Sequence, residues 1–135
     1  MTSRRCTLIE QGAMELLQIN GFTVRVIPPV GFDKRLPPAH LVASRGLNET
    51  RYIRIRKISH TPVAVDTIAT KYAGDIAMFR KHLLRHPGAT GLHCEIWVYS
   101  LSYGFRCFEI QQESVREIPK LSRHSHPISP AGGAA

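Results

Sequence analysis

The sequence is poor in features that mark several classes of protein. It has three cysteines, with neither a C-x-x-C pair nor a Cys/His metal spacing, which argues against a disulfide scaffold and a zinc module. No stretch approaches the roughly 18 apolar residues of a membrane span, and the N-terminus lacks the apolar segment of a signal peptide. We therefore expect a cytoplasmic protein with reduced thiols and no membrane partner.

Acidic residues are also scarce. Eighteen Lys and Arg stand against ten Asp and Glu, a formal charge of +8 and a pI of about 9.9. Such a balance favours association with polyanions, and we expect DNA or RNA as the partner. There is no G-x-G-x-x-G after a strand and no phosphate-loop lysine, so no small-molecule cofactor is expected.

The chain has 135 residues, of which 43% are hydrophobic, enough for the core of one domain. We predict a single domain over residues 1–118. Residues 119–135 are rich in Ser, Pro, Gly and Ala and are predicted to form a disordered tail.

Hydrophobic periodicity predicts an α/β fold in the order helix, three strands, helix, two strands, with a small mixed sheet. The predicted segments are a helix at 7–19, a strand at 23–26, a loop at 29–38, a hairpin with strands near 41–43 and 51–58, a long helix at 66–86 capped by Asp66, two strands within 93–110 and a short helix at 112–118.

The strand RYIRIRKIS carries four positive charges in seven residues and still alternates. Period two puts Ile53 and Ile55 on one face, toward the core, and Arg54 and Arg56 on the other. Two guanidinium groups side by side form a bidentate receptor for phosphate. The alternative is a solvated outer face whose arginines protect a sheet edge.

The element order, with the segments HLVASRG and RYIRIRKIS, resembles the PD-(D/E)xK nuclease superfamily, which includes restriction endonucleases and archaeal Holliday-junction resolvases. The resemblance covers roughly residues 7–111 and implies a restriction-endonuclease-like αβββαβ core. In that family an Asp starts the second strand and a Glu-x-Lys lies on the third.

Placed on this sequence, the Asp of the pattern falls on His40, the Glu on Arg54, and the Lys on Arg56, or on Lys57 if a bulge shifts the register. Glu10 matches a further acidic residue of some members. Such nucleases hold Mg²⁺ with carboxylates. One His and two Arg offer no anionic ligand, so the resemblance implies a lost metal site and no catalytic residues.

The leading hypothesis is therefore a nucleic-acid-binding or regulatory module derived from a nuclease, which could also form a homodimer. The predicted nucleic-acid-binding residues are His40, Arg51, Arg54, Arg56 and Lys57. Two alternatives stay open: an active metal-dependent endonuclease with a displaced site at Glu10 and Asp33, and a protein–protein interaction subunit.

Two further features of the sequence are less specific for function. His82 and His86 are four residues apart, a spacing that could place two imidazoles near a metal, but no third ligand is evident. Tyr103, in the turn between the last two strands, could stack on a base, although a lone hairpin tyrosine is more often a packing residue.

Overall fold

The computed structural model describes residues 7–27, 39–58 and 64–122. The predicted loop at 29–38 and the last 13 residues of the predicted tail lie outside these ranges. The elements are α1 (Leu8–Ile19), β1 (Thr23–Val26), β2 (Leu41–Arg45), β3 (Glu49–Lys57), α2 (Val65–Lys71), α3 (Ala73–Leu84), β4 (Leu92–Ser100), β5 (Gly104–Ile110) and β6 (Val115–Ile118). The predicted α/β class and the αβββαβ order are confirmed.

The strands form one mixed sheet in the order β1-β2-β3-β4-β5-β6. Every neighbouring pair is antiparallel except β3 and β4, which run parallel because α2 and α3 form the crossover between them. In this parallel pair Ile55 lies opposite Trp97 and Lys57 opposite Tyr99. The carboxyl ends of β3 and β4 therefore lie side by side at the same end of the sheet.

Each face of the sheet has its own hydrophobic core. On the first face, here called the α1 face, Ala13 and Leu17 of α1 pack against Ile53, Ile55 and Trp97. On the opposite face, here called the α3 face, residues of α2 and α3 pack against the alternate positions of the strands. These residues include Ile68, Ile76, Phe79, Ile96 and Phe108. Alternate residues of β3 thus lie on opposite faces of the sheet. Ile53 and Ile55 are buried in a core as predicted, and that core is the one on the α1 face.

Two predicted helices differ from the structure. The long helix is divided at Tyr72, whose backbone leaves the helical region (φ −113°, ψ 34°), and Gly74 just beyond it favours the helix weakly. Its first part begins at Val65 with Ala64 as the N-cap residue, so Asp66 lies in the first turn and does not cap the helix. Four residues on one face of the two helices, Ile68, Tyr72, Ile76 and Phe79, are buried.

The short helix predicted at 112–118 is wrong, because residues 115–118 form the edge strand β6. Val115 packs on the α3 face and Ile118 on the α1 face. Apolar residues three apart satisfy one helical face, but they also satisfy a strand that is covered on both sides. Beyond β6 the chain returns to α1, where the Asn20 side chain donates a hydrogen bond to the Ser122 carbonyl at 3.0 Å.

Gly91 is required where β4 begins. Its φ is +77°, and a Cβ there would overlap the backbone carbonyl of Asn48 in the β2–β3 turn. The Gly91 carbonyl accepts a hydrogen bond from the Thr50 amide at 2.8 Å. This close approach fixes the start of β4 against β3. Within the described ranges no helix is long and apolar enough to cross a membrane.

Candidate nucleic-acid interface

Arg54 and Arg56 lie on the α3 face, where both guanidinium groups meet Asp75 in the first turn of α3. Arg56 donates from Nε and Nη2 to Asp75 Oδ2 at 2.9 and 2.7 Å. Arg54 Nε is 3.7 Å from Asp75 Oδ1. The Arg56 guanidinium also lies 5.5 Å from the Tyr72 ring centre. The two arginines share a face as predicted, and they bind α3 to the sheet.

Arg51 lies on the α1 face at the opposite end of β3. It donates to Glu49 at 3.0 Å and lies 3.4 Å from Glu95 Oε2. Its guanidinium is 4.9 Å from the centre of the Phe22 ring. The side chain is therefore engaged by two carboxylates and an aromatic ring, far along β3 from Lys57.

Glu95 and Glu109 are cross-strand neighbours on the same face and are both buried. Burial raises the pKa of Glu95 despite the nearby Arg51 guanidinium and the 2.8 Å hydrogen bond from Trp97 Nε1. Burial alone would also raise the pKa of Glu109, but hydrogen bonds from His93 and Arg116 bring it below its ordinary value. These carboxylates form an internal ion-pair network.

His40 lies just before β2 and is built into the sheet. Its backbone carbonyl accepts from the Ile27 amide, and its own amide donates to the Ile53 carbonyl, both at 2.8 Å. The ring atom Nδ1 accepts the Ile55 amide proton at 2.9 Å, which requires an unprotonated Nδ1. Nε2 then carries the proton of the neutral ring and lies 3.9 Å from Glu10 Oε2.

Glu10 is only 6% exposed and takes part in the start of α1. Its amide donates to Thr7 Oγ1 at 3.0 Å, and its Oε1 accepts from the Thr7 amide at 3.3 Å, a capping box. The second carboxylate oxygen lies toward His40. The structure therefore brings together Glu10 and His40, both of which the family resemblance had singled out.

Lys57 ends β3 on the same face as Ile55 and is exposed. In the described part of the chain it makes no ion pair, unlike Arg51, Arg54 and Arg56. We call the group Glu10, His40, Ile55 and Lys57 the His40 edge, since all four lie where α1 begins and β3 ends.

The His40 edge changes how the family pattern maps onto this chain. Arg54 and Arg56 lie on the face opposite to α1, so the five predicted binding residues are not one cluster. In the carboxyl-terminal half of β3, the residues on the face of Glu10 and His40 are Ile53, Ile55 and Lys57. With the Lys of the pattern on Lys57, the alternative register, its Glu falls on Ile55.

The residues of the His40 edge do not fit a divalent cation. Mg²⁺ requires several oxygen ligands, whereas Ile55 supplies none and the Nδ1 of His40 already accepts a backbone proton. Glu10 offers one carboxylate that also caps α1. Among the residues that the structure describes, no group of three or more His, Cys, Asp or Glu could hold a metal. Asp33, the second residue of the proposed displaced site, lies outside them.

His82 in α3 and His86 just beyond its end pack against each other. His82 is 5% exposed, and its ring contacts Tyr52 edge-on at 5.0 Å and His86 at 4.8 Å between centres. Tyr103 is half exposed in the β4–β5 turn, with the Lys120 ammonium 5.4 Å and the Arg106 guanidinium 5.3 Å from its ring centre.

Comparison with known proteins supports a fold for this chain but does not assign it to a family. No family model matches the sequence, and no curated protein matches it. Among solved structures, the chain is similar to Hjc, a Holliday junction resolvase from the archaeal hyperthermophile Archaeoglobus fulgidus. The TM-score is 0.50 at 16% identity, over 82% of this chain and 84% of the resolvase. This supports the predicted restriction-endonuclease-like fold.

Proposed function

We propose that this protein is a nucleic-acid-binding module of nuclease-like fold that does not cleave its ligand with a divalent metal. Three facts support the proposal: the charge of +8, the resolvase-like fold, and a His40 edge that has a lysine but too few carboxylates. The +8 charge also favours rapid encounter with a polyanion.

The observation that carries the proposal is the composition of the His40 edge. Ile55 replaces a possible anionic ligand with an apolar side chain, and His40 and Glu10 are engaged with the backbone. Lys57 is exposed and has no acidic partner among the described residues. We place a phosphate contact on Lys57 and assign Arg51, Arg54 and Arg56 mainly to internal ion pairs.

The test is fluorescence anisotropy with labelled duplex, branched and single-stranded DNA and RNA, in EDTA and at two salt concentrations. Lys57→Ala should weaken binding to every ligand similarly and reduce the slope of log K against log salt by about 1. Lys81→Ala, which removes an exposed lysine from α3 on the opposite face, is the matched control and should have a smaller effect.

Each outcome distinguishes the proposal from its alternatives. Equal losses in Lys57→Ala and Lys81→Ala would remove the contact from the His40 edge. If Arg54→Ala/Arg56→Ala abolishes binding while remaining folded, the phosphate receptor lies on the α3 face instead. Cleavage in Mg²⁺ or Mn²⁺ that Glu10→Gln abolishes would show a working nuclease. Absence of binding to every nucleic acid would favour a protein partner.

A further inference from the structure

A cavity of about 620 Å³ opens beside the His40 edge, between α1, the β4–β5 hairpin and residues 120–122. Its walls include Leu8, Leu16, Tyr99 and Phe105, and Lys120 stands among them. Leu8 is 84% exposed, so an apolar part of the wall faces the opening. The volume lies within the roughly 300–1,000 Å³ of sites that hold small organic groups.

One lysine, Lys120, lines this cavity, and a second, Lys57, lies one strand away from its wall. Tyr99 is the ladder partner of Lys57 on the α1 face, and adjacent strands are only about 4.8 Å apart. Lys120 approaches from the other side, near Gly104 at the start of β5. Neither lysine forms an ion pair with any residue that the structure describes. The cavity is thus an apolar, partly aromatic space with one lysine in its wall and a second beside Tyr99 in the neighbouring strand.

This combination matches the chemistry of one unpaired nucleotide. Base faces stack on aromatic side chains, and the phosphates on either side of a base require cations. The Tyr99 and Phe105 rings lie 5.1 Å apart between centres and form an aromatic wall. A simple fatty acid would fill the apolar space, but it carries one anionic group and would use only one of the two lysines.

We propose that the cavity receives an unpaired nucleobase, with the phosphates on its two sides held by Lys57 and Lys120. This inference rests on the proposed nucleic-acid-binding function and specifies the ligand as a strand with an extrahelical or single-stranded base. The ring of Tyr103 lies beside Lys120 and would therefore be next to the path of that strand.

The experiment compares three labelled duplexes that differ at one position: fully paired, with one unpaired base, and with an abasic residue in place of that base. The full 135-residue chain should bind the unpaired base about tenfold more tightly than the other two, within the range that one stacked base contributes. The fluorescence of Trp97, whose ring lies 5.5 Å from that of Phe105, should change only with the unpaired base.

Two variants test the cavity directly. At Gly12 a Cβ would be in ordinary contact with Phe105, at 3.8 Å, so Gly12→Ala should keep the preference. Gly12→Leu adds bulk at the cavity wall and should remove the preference while binding to the paired duplex remains. Lys120→Ala changes an exposed side chain and should reduce the preference several-fold in a folded protein, even if Gly12→Leu does not fold.

The experiment distinguishes failure of this inference from failure of the proposed function. Equal affinity of the wild type for all three duplexes would overturn this inference and leave the proposed function standing, whereas no binding to any of them would overturn both. If decanoate changes the Trp97 fluorescence and the unpaired base does not, the cavity is a site for an apolar acid and the inference fails.

Discussion

Replacing Asp75 by Asn removes a carboxylate that the structure places against both Arg54 and Arg56. The substitution breaks a contact of 2.7 Å with Arg56 and one of 3.7 Å with Arg54, and leaves two adjacent guanidinium groups facing an amide. A fully buried charge pair that loses one partner costs about 3–5 kcal/mol.

The two arginine side chains are 25% and 35% exposed, so solvent screening reduces this cost, and we expect about 2 kcal/mol. For a domain of this size that corresponds to a fall in melting temperature of about 8 °C. Far-UV circular dichroism during thermal and urea unfolding measures it. High salt should reduce the difference in melting temperature between the variant and the wild type only in part, because partly buried charges are screened less than exposed ones.

Asp66→Asn is the matched control. Asp66 lies in the first turn of α2 and is exposed, whereas Asp75 lies in the first turn of α3 and is mostly buried. Both substitutions lose a favourable interaction with the helix dipole. Asp66→Asn should cost less than about 1 kcal/mol. Equal destabilisation by the two variants would refute the assignment of Arg54 and Arg56 to the α3 contact.

Two further pairs of variants test the fold. Glu95 has a raised pKa, so its stabilising contribution is present below the ordinary value of 4.5 and is lost as the pH rises through the folded value. Glu95→Gln should therefore gain stability relative to the wild type as the pH rises above 4.5. Glu109 has a lowered pKa, so its stabilising contribution is present above the ordinary value of 4.5 and is lost as the pH falls through the folded value. Glu109→Gln should therefore lose stability relative to the wild type as the pH rises toward 4.5, and urea midpoints that move in the same direction for both variants would contradict these environments. Gly46→Ala should cost about 1 kcal/mol, because its φ is +65° in open space, whereas Gly91→Ala should cost several times as much, and equal costs would place Gly91 away from the β2–β3 turn.

Local periodicity was sufficient to predict most elements and the two faces of β3. Ile53 and Ile55 are buried toward α1, and Arg54 and Arg56 emerge on the other side, because alternation in a regular strand is a local property. The partner of the two arginines was not predictable in this way. Asp75 lies 19 residues from Arg56 in sequence and meets it only because the crossover returns α3 across the sheet.

The candidate site was predicted in part, since the resemblance singled out Glu10, His40 and Lys57. The assignment of β3 residues to the site depended on which face α1 covers, and that is a tertiary property. His40 also departs from simple alternation. Period two would place its side chain with Val42, but its ring accepts the Ile55 amide proton and reaches Glu10. No pattern in the sequence reports a hydrogen bond of this kind.

The most direct test of the proposed function is to add to the His40 edge the carboxylates that a divalent metal would need. His40→Asp/Ile55→Glu would place two new carboxylates near Glu10, whereas the control His40→Asp/Arg54→Glu would place the second one on the opposite face. Thermal unfolding is measured with and without Mn²⁺, since a bound ion stabilises the folded state by about 2.7 kcal/mol at 100 times its Kd. Mn²⁺ should raise the melting temperature of the first variant and leave the wild type and the control unchanged. Stabilisation of the wild type, or of the control alone, would contradict the proposal that His40 and Ile55 keep a divalent metal from binding at this edge.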